Sequence, residues 1–128
     1  MSLLLYTRQS DETGKDIMKA IKTRFPDEGV VLCSTVNSLD LKLSERHNDK
    51  KMAILVPADE EEVIDIYSKQ HLFNEVPVVL VLPNREKLVI AMGYRLKPRL
   101  MCYRESGIAE VVSGLLDTVN SLQLCEAS

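Results

Sequence analysis

Five short runs of apolar residues organise this chain, and longer stretches of mixed polarity separate them. Within these runs apolar residues do not alternate with polar ones, which is typical of strands that are buried on both faces of a parallel sheet. The runs cover residues 3–6, 30–32, 52–56, 78–82 and 100–103. The pattern therefore predicts five strands of one parallel sheet.

The stretches between the runs carry apolar residues at helical spacing. Ile17 and Ile21 mark one side of the first stretch, and Asp59 is placed to cap a helix whose first turn holds glutamates at 60–62. The longest stripe consists of Ile108, Val111, Val112, Leu115, Leu116, Val119 and Leu122. Alternation of strands and helices predicts an α/β domain over residues 1–122 with helices on both faces of the sheet, followed by a tail at 123–128.

Residues 87–92 fit two structures. Their apolar side chains can lie on one side of a helix, or form a strand that pairs as a hairpin with residues 78–82. A helix here and a hairpin strand here belong to different folds, so the fold assignment depends on this segment.

Composition excludes several classes of function. A net charge of −3 over 128 residues gives no general attraction to nucleic acid, and no apolar stretch reaches the length of about 20 residues that spans a bilayer. Cys33, Cys102 and Cys125 are an odd number without a CxxC spacing, so neither a disulfide framework nor a zinc site is expected. The apolar start is too short for a signal peptide, and we expect a cytoplasmic protein without a cofactor or metal.

Two long segments carry a resemblance to a known family. Residues 28–56 are similar to the second strand, second helix and third strand of response-regulator receiver domains, and no gap is needed. From Val76-Pro77 the chain resembles the fourth strand, fourth helix and fifth strand of the family, and it continues through Arg104 into a final helix at 110–112. The segment between Val56 and Pro77 is shorter than in the family, so a trimmed third helix is expected.

The resemblance implies a phosphorylation site whose chemical groups are replaced. Receivers bind Mg²⁺ through an acidic pair after the first strand and accept phosphate on an aspartate that ends the third. Here Thr7 and Arg8 stand in place of the acidic pair, and Val56 in place of the phosphoacceptor. Leu82 replaces the hydroxyl residue of the fourth strand, and Arg104 replaces the lysine of the fifth. Valine cannot carry a phosphoryl group, and an arginine repels the metal.

The resemblance therefore implies a flavodoxin-like, three-layer α/β/α sandwich with five parallel strands, a degenerate receiver that is not an enzyme. Its expected function is that of a non-phosphorylatable signalling domain acting through protein contacts, with a partner from a signalling pathway or a second copy of itself. In the family the contacts are made by the fourth helix, fifth strand and fifth helix. That face would include Arg95, Lys97, Arg99, Met101 (in place of the usual aromatic switch) and Tyr103.

Four acidic residues are expected near the same strand ends. Asp11 and Glu12 lie in a long loop after the first strand, and Asp59 and Glu60 follow the third. They could form an acidic rim that rebuilds an acidic pocket by another route, or remain a solvated loop and a capped helix start, which is the more common arrangement.

A second hypothesis for function depends on the two arginines. Arg8 and Arg104 would lie at the carboxyl ends of strands, where open α/β sheets bind ligands, and could hold a phosphate or an acidic small molecule. The alternative is that Asp11, Glu12 or Asp59 neutralises them.

A third hypothesis is a redox-inactive, thioredoxin-like adaptor. Val76-Pro77, the turn at 83–85 and a strand at 88–92 before Gly93 resemble the hairpin of that family. However, the turn after the first strand reads Asp-Glu-Thr-Gly and lacks the CxxC that thioredoxin chemistry needs.

Overall fold

The computed structural model of the protein describes residues 2–26, 29–45 and 50–127, with side chains as far as residue 122. Glu28, the first residue of the receiver-like segment, lies outside this part of the chain. All five predicted strands are present, and three of them extend by one or two residues beyond the apolar runs. They are β1 (Ser2–Thr7), β2 (Gly29–Cys33), β3 (Lys51–Val56), β4 (Val78–Leu82) and β5 (Leu100–Tyr103).

The strands form one sheet in the order β2-β1-β3-β4-β5, and every neighbouring pair is parallel. Leu3 is paired with Val30 on one side and with Met52 on the other, so β1 lies inside the sheet. This is the strand order of the flavodoxin-like fold. The predicted fold class is confirmed.

In the described part of the chain, five α-helices connect and follow the strands. They are α1 (Glu12–Arg24), α2 (Val36–Ser44), α3 (Glu60–Tyr67), α4 (Lys87–Arg95) and α5 (Ile108–Ala127). Two 3₁₀ turns, Gln70–Phe73 and Arg104–Ser106, precede β4 and α5. α3 has only eight residues, as the short segment between Val56 and Pro77 led us to expect.

Alternate side chains of β1 divide the core into two layers. Leu3 and Leu5 pack with α1 and α5 on one face of the sheet, whereas Leu4 and Tyr6 pack with α2, α3 and α4 on the other. Each of these leucines is at most 2 % exposed, and burying one stabilises the fold by about 1.5–3 kcal/mol. The continuous apolar runs exist because both faces of the sheet are covered.

Residues 87–92 are helical, since they form most of α4. The hairpin that a thioredoxin-like fold requires is therefore absent, and the sheet contains no antiparallel pair among the described strands. α5 continues through Ala127, beyond residue 122 where the sequence pattern had placed the end of the domain.

The two cysteines whose side chains are described lie in the sheet as free thiols. Cys33 is buried and Cys102 is half-buried, and burial raises the pKa of each thiol. The side chain of Cys125 lies outside the described part.

Candidate functional site

The carboxyl ends of β1 and β3 lie side by side. Here the order of the strands along the chain reverses, since β2 lies on one side of β1, and β3, β4 and β5 lie on the other. From β1 the chain passes to α1 on one face, and from β3 it passes to α3 on the other. Open α/β sheets bind ligands in the crevice at such a switch point. Thr7 and Arg8 reach it from β1, and Val56 and Pro57 reach it from β3.

Arg104 fills this crevice from the end of β5. Its Nη1 donates to Asp11 Oδ1 at 2.9 Å, and its Nη2 donates to Asp11 Oδ2. Nη2 also lies 3.2 Å from the carbonyl oxygen of Val56 and 3.0 Å from that of Pro57, which in addition accepts from Nε at 3.2 Å. One guanidinium therefore joins the ends of β3 and β5 to the loop that follows β1.

Asp11 is held at this position by its second role as the N-cap of α1. Its Oδ1 accepts a hydrogen bond from the backbone N–H of Thr13 at 3.1 Å. The bonds from Arg104 are the main reason that the pKa of this carboxyl group lies below its usual range. The side chains of Asp11 and Arg104 are only 7 % and 20 % exposed, so the ion pair is largely shielded from water.

Arg8 lies in a second ion cluster on the opposite side of β1. Its Nη2 is 3.2 Å from Asp59 Oδ2 and 2.5 Å from Glu62 Oε2. Asp59 caps α3 as predicted, since its Oδ1 accepts from the backbone N–H of Glu62 at 3.0 Å. This hydrogen bond, more than the neighbouring Arg8, lowers the pKa of Asp59.

Glu62 is a site residue that the sequence pattern did not single out. It is 8 % exposed, and its Oε1 accepts a hydrogen bond of 2.6 Å from the hydroxyl of Tyr6. Burial, and next the bond to Glu62, raises the pKa of Tyr6. The spacing of three from the cap Asp59 marks Glu62 as the N3 residue of α3, but the spacing does not show which way the side chain turns.

The three positions that correspond to phosphotransfer residues of receiver domains are buried in apolar packing. Val56 and Leu82 are completely buried, and Thr7 is 5 % exposed. The hydroxyl of Thr7 has no hydrogen-bond partner in the described structure and lies against Gly14 of α1. None of these three side chains offers an accessible group that could accept phosphate.

The residues at the switch point do not fit the Mg²⁺ ion of receiver domains. Arg8 and Arg104 already pair with the nearest carboxylates, and no group of three candidate ligands comes together anywhere in the described residues. Glu12 is exposed, with an oxygen 3.5 Å from the Nζ of Lys15, and Glu60 stays in the first turn of α3. The four predicted rim residues thus do not form one cluster.

The predicted interaction face is divided between the two ends of β5. Arg95, Lys97 and Arg99 lie at the amino end, around a cavity of about 390 Å³ that includes Pro77. Tyr103 lies at the carboxyl end, where its ring stacks with the guanidinium of Arg85 at 3.9 Å. Met101 is half-buried between these ends and packs against the core.

Comparisons of the chain with protein-family models, with curated proteins and with solved structures give no match. Within the described residues, no helix has the length and apolar character needed to cross a membrane.

Proposed function

We propose that this protein is a non-phosphorylatable, receiver-like domain that acts through protein contacts. The observation that carries the proposal is the placement of Arg104. Its guanidinium is bound to Asp11 and to the carbonyl oxygens of Val56 and Pro57, at the place where a receiver would assemble a phosphoryl group and a metal.

The Arg104–Asp11 pair supports a fixed scaffold in preference to a switch. A receiver changes state when a phosphoryl group attracts a cation and a hydroxyl group. In this chain the cation already has an internal carboxylate partner, and Leu82 has no hydroxyl group that could respond. Because no phosphorylatable side chain stands there, we expect the carboxyl end of the sheet to keep one arrangement, so that binding surfaces elsewhere carry the function.

A second candidate function is the binding of phosphate or an acidic small molecule by Arg8 and Arg104. At Arg104 an anion would have to displace Asp11, whereas the half-exposed Arg8 is already paired with Asp59 and Glu62. Displacement of Asp11 would leave a shielded carboxylate without a partner, which costs free energy. A thermal-shift screen with phosphate, nucleotides and acidic metabolites tests it, since a ligand that binds only the folded state raises the melting temperature.

Treatment with acetyl phosphate tests the main proposal. The protein is incubated with acetyl phosphate and Mg²⁺ at neutral pH, and its intact mass is measured promptly. The expected spectrum contains no phosphoryl adduct, because Val56 offers no nucleophile and the nearby carboxylates are engaged.

A phosphoryl adduct that forms on the folded protein would overturn the proposal. The variants Asp11→Asn, Asp59→Asn and Glu62→Gln would then identify the acceptor, since each removes one carboxylate that pairs with Arg104 or Arg8.

A further inference from the structure

A groove of about 460 Å³ runs between α1 and β2, on the face of the sheet that α1 covers. Met18 of α1 and Leu32 of β2 form its apolar floor, and Leu32 is 51 % exposed although it lies in a strand. The volume is within the usual range of ligand-binding clefts, which is about 300–1,000 Å³.

The groove lies beside an open edge of the sheet. β2 is the first strand in the sheet order, and no described strand pairs with its outer side. Its sequence, Gly-Val-Val-Leu-Cys, contains neither a charged residue nor a proline, which are the features that usually protect an edge from pairing with another chain. The backbone groups on the outer side of β2 are therefore suited to accept a further strand.

Three lysines of α1 line this groove. Lys15, Lys19 and Lys22 are spaced by four and three residues, which places them on one side of the helix. In the described structure neither Lys19 nor Lys22 pairs with a carboxylate, and Lys15 has only the exposed Glu12 at 3.5 Å. Among the described residues no acidic side chain lines the groove, so its described lining carries positive charge although the whole chain carries −3.

We propose that an extended acidic peptide segment of a partner protein binds here as a sixth strand, paired with the outer edge of β2. Apolar side chains of that segment would cover Leu32 and Met18, and its carboxylates would meet the three lysines. In such strand addition, backbone hydrogen bonds give affinity and side-chain contacts give specificity. This inference rests on the proposed function, since it names the contact surface and the chemistry of the partner.

The dimensions of the groove fit a short strand. The five residues of β2 extend for about 16 Å, and the three lysines cover about 10 Å of α1. A segment of about five residues therefore spans both the strand edge and the lysine row.

Charge favours an acidic partner over a second copy of this chain. Antiparallel pairing of two β2 strands would continue the sheet and would keep both α1 helices on the same face. Their lysine rows would then face each other across the new pair of strands, and like charges repel. An acidic segment in the same place is attracted.

Peptide binding measured by fluorescence anisotropy tests the inference. The probes are fluorescein-labelled octapeptides with the sequence Val-Val-Glu-Glu repeated twice, so that each face of the strand carries both valine and glutamate, compared with octapeptides in which lysine replaces glutamate. The acidic peptide is expected to bind and the basic peptide to fail. The triple variant Lys15→Glu, Lys19→Glu, Lys22→Glu should weaken binding by at least about tenfold, because three attractive pairs become repulsive.

The matched control changes charge by the same amount at the other end of the molecule. The variant Arg95→Glu, Lys97→Glu, Arg99→Glu should keep the acidic peptide's affinity to within about twofold. If the triple lysine variant fails to fold, as seen from its circular dichroism and melting temperature, Lys19→Gln with Lys22→Gln and, separately, Leu32→Glu take its place. Both alternatives change only side chains at the protein surface and should also weaken binding.

Amide hydrogen exchange gives the readout specific to strand addition. With the acidic peptide bound, the outward-pointing amides of β2 should exchange more slowly, whereas peptide held only by the lysines would leave them unchanged.

Three results would overturn the inference. They are absence of acidic-peptide binding, binding that the groove variants leave unchanged, and unaltered exchange of the β2 amides. A dimer that forms without peptide and is lost in Leu32→Glu would assign the edge to a second copy instead. None of these results involves phosphorylation, so the inference and the proposed function fail separately.

Discussion

Arg104 and Asp11 are 93 positions apart in the chain, and they form a two-point ion pair across the carboxyl end of the sheet. The fork of the guanidinium matches both carboxylate oxygens, which a lysine could not do. The same side chain also satisfies backbone carbonyls at the end of β3. The pair therefore ties β3, β5 and the start of α1 together.

Removing Arg104 should destabilise the protein. We expect Arg104→Met to lower the free energy of unfolding by about 2–4 kcal/mol, because it leaves the shielded carboxylate of Asp11 without its partner. Urea unfolding followed by circular dichroism measures the change. In the double variant with Asp11→Asn the loss should be smaller than the sum of the two single losses.

The exposed Arg99 provides the control for this prediction. Arg99→Met removes an arginine with no ion pair in the described structure and should change stability by no more than about 0.5 kcal/mol. Equal losses for Arg104→Met and Arg99→Met would show that the ion pair contributes nothing.

Stability should fall at acidic pH, in part through Asp11. Its pKa in the folded state is lowered, chiefly by Arg104, whereas in the unfolded chain it is about 3.9. The unfolded state therefore binds the proton first as the pH falls. The free energy that the lowered pKa of Asp11 contributes to folding is fully present above about pH 4. It is lost as the pH drops through the pKa of Asp11 in the folded state.

The measurement compares unfolding free energies at about pH 6 and about pH 3 in the wild type and in Arg104→Met. The variant should lose less stability between the two pH values, because the pKa of Asp11 is no longer depressed by a cation. A pH dependence as steep as that of the wild type would contradict the assignment.

The buried hydrogen bond between Tyr6 and Glu62 should contribute to stability. Tyr6→Phe leaves the Oε1 atom of Glu62 without its donor, and we expect a loss of about 1–3 kcal/mol in unfolding free energy. Tyr67→Phe is the matched control. It removes a hydroxyl group that accepts an exposed hydrogen bond from Arg95, so its cost should stay below about 0.5 kcal/mol. Similar losses in both variants would refute a special role for the buried bond.

Gly14 is required by the close approach of α1 to β1. A Cβ atom at this position would lie 1.9 Å from the Oγ1 atom of Thr7, a buried and branched side chain that has little freedom to move. Although alanine favours helices by about 1 kcal/mol over glycine, we expect Gly14→Ala to cost about 1–3 kcal/mol, because overpacking outweighs propensity.

Gly114→Ala, in α5, is the matched control for Gly14→Ala. The nearest atom to its added Cβ is a terminal methyl group of Leu100 at 3.1 Å, which can rotate away. Thermal unfolding should show little change or a slight gain for Gly114→Ala. A stabilised Gly14→Ala protein would contradict the close contact.

The strands could be predicted because both faces of the sheet are buried, which leaves uninterrupted apolar runs such as Val78–Leu82. Residues 87–92 could not be assigned from their pattern, since a short apolar segment fits a helix and a strand equally well. What decides the structure is the packing of Val89 and Met92 into the core beneath α4. Such long-range contacts are not visible in local sequence.

The candidate site was predictable only in outline. The resemblance predicts Arg104 at the carboxyl end of the fifth strand, and the sequence offers Asp11 as one of several carboxylates that could neutralise it. The sequence around Glu62 indicates only a solvated helix start. It does not show that Tyr6 of β1 points toward the first turn of α3. Pairing between distant side chains depends on the strand order, which the sequence pattern does not give.

The most direct test of the proposed function is a nuclear magnetic resonance titration with beryllofluoride, an analogue of the phosphoryl group, in the presence of Mg²⁺. Amide resonances of Arg8, Asp11, Val56, Asp59 and Arg104 report on the switch point. If the domain lacks a phosphoacceptor, as we propose, and Arg104 stays bound to Asp11, these resonances should not shift. Saturable shifts at Val56 and Arg104 would contradict the proposal.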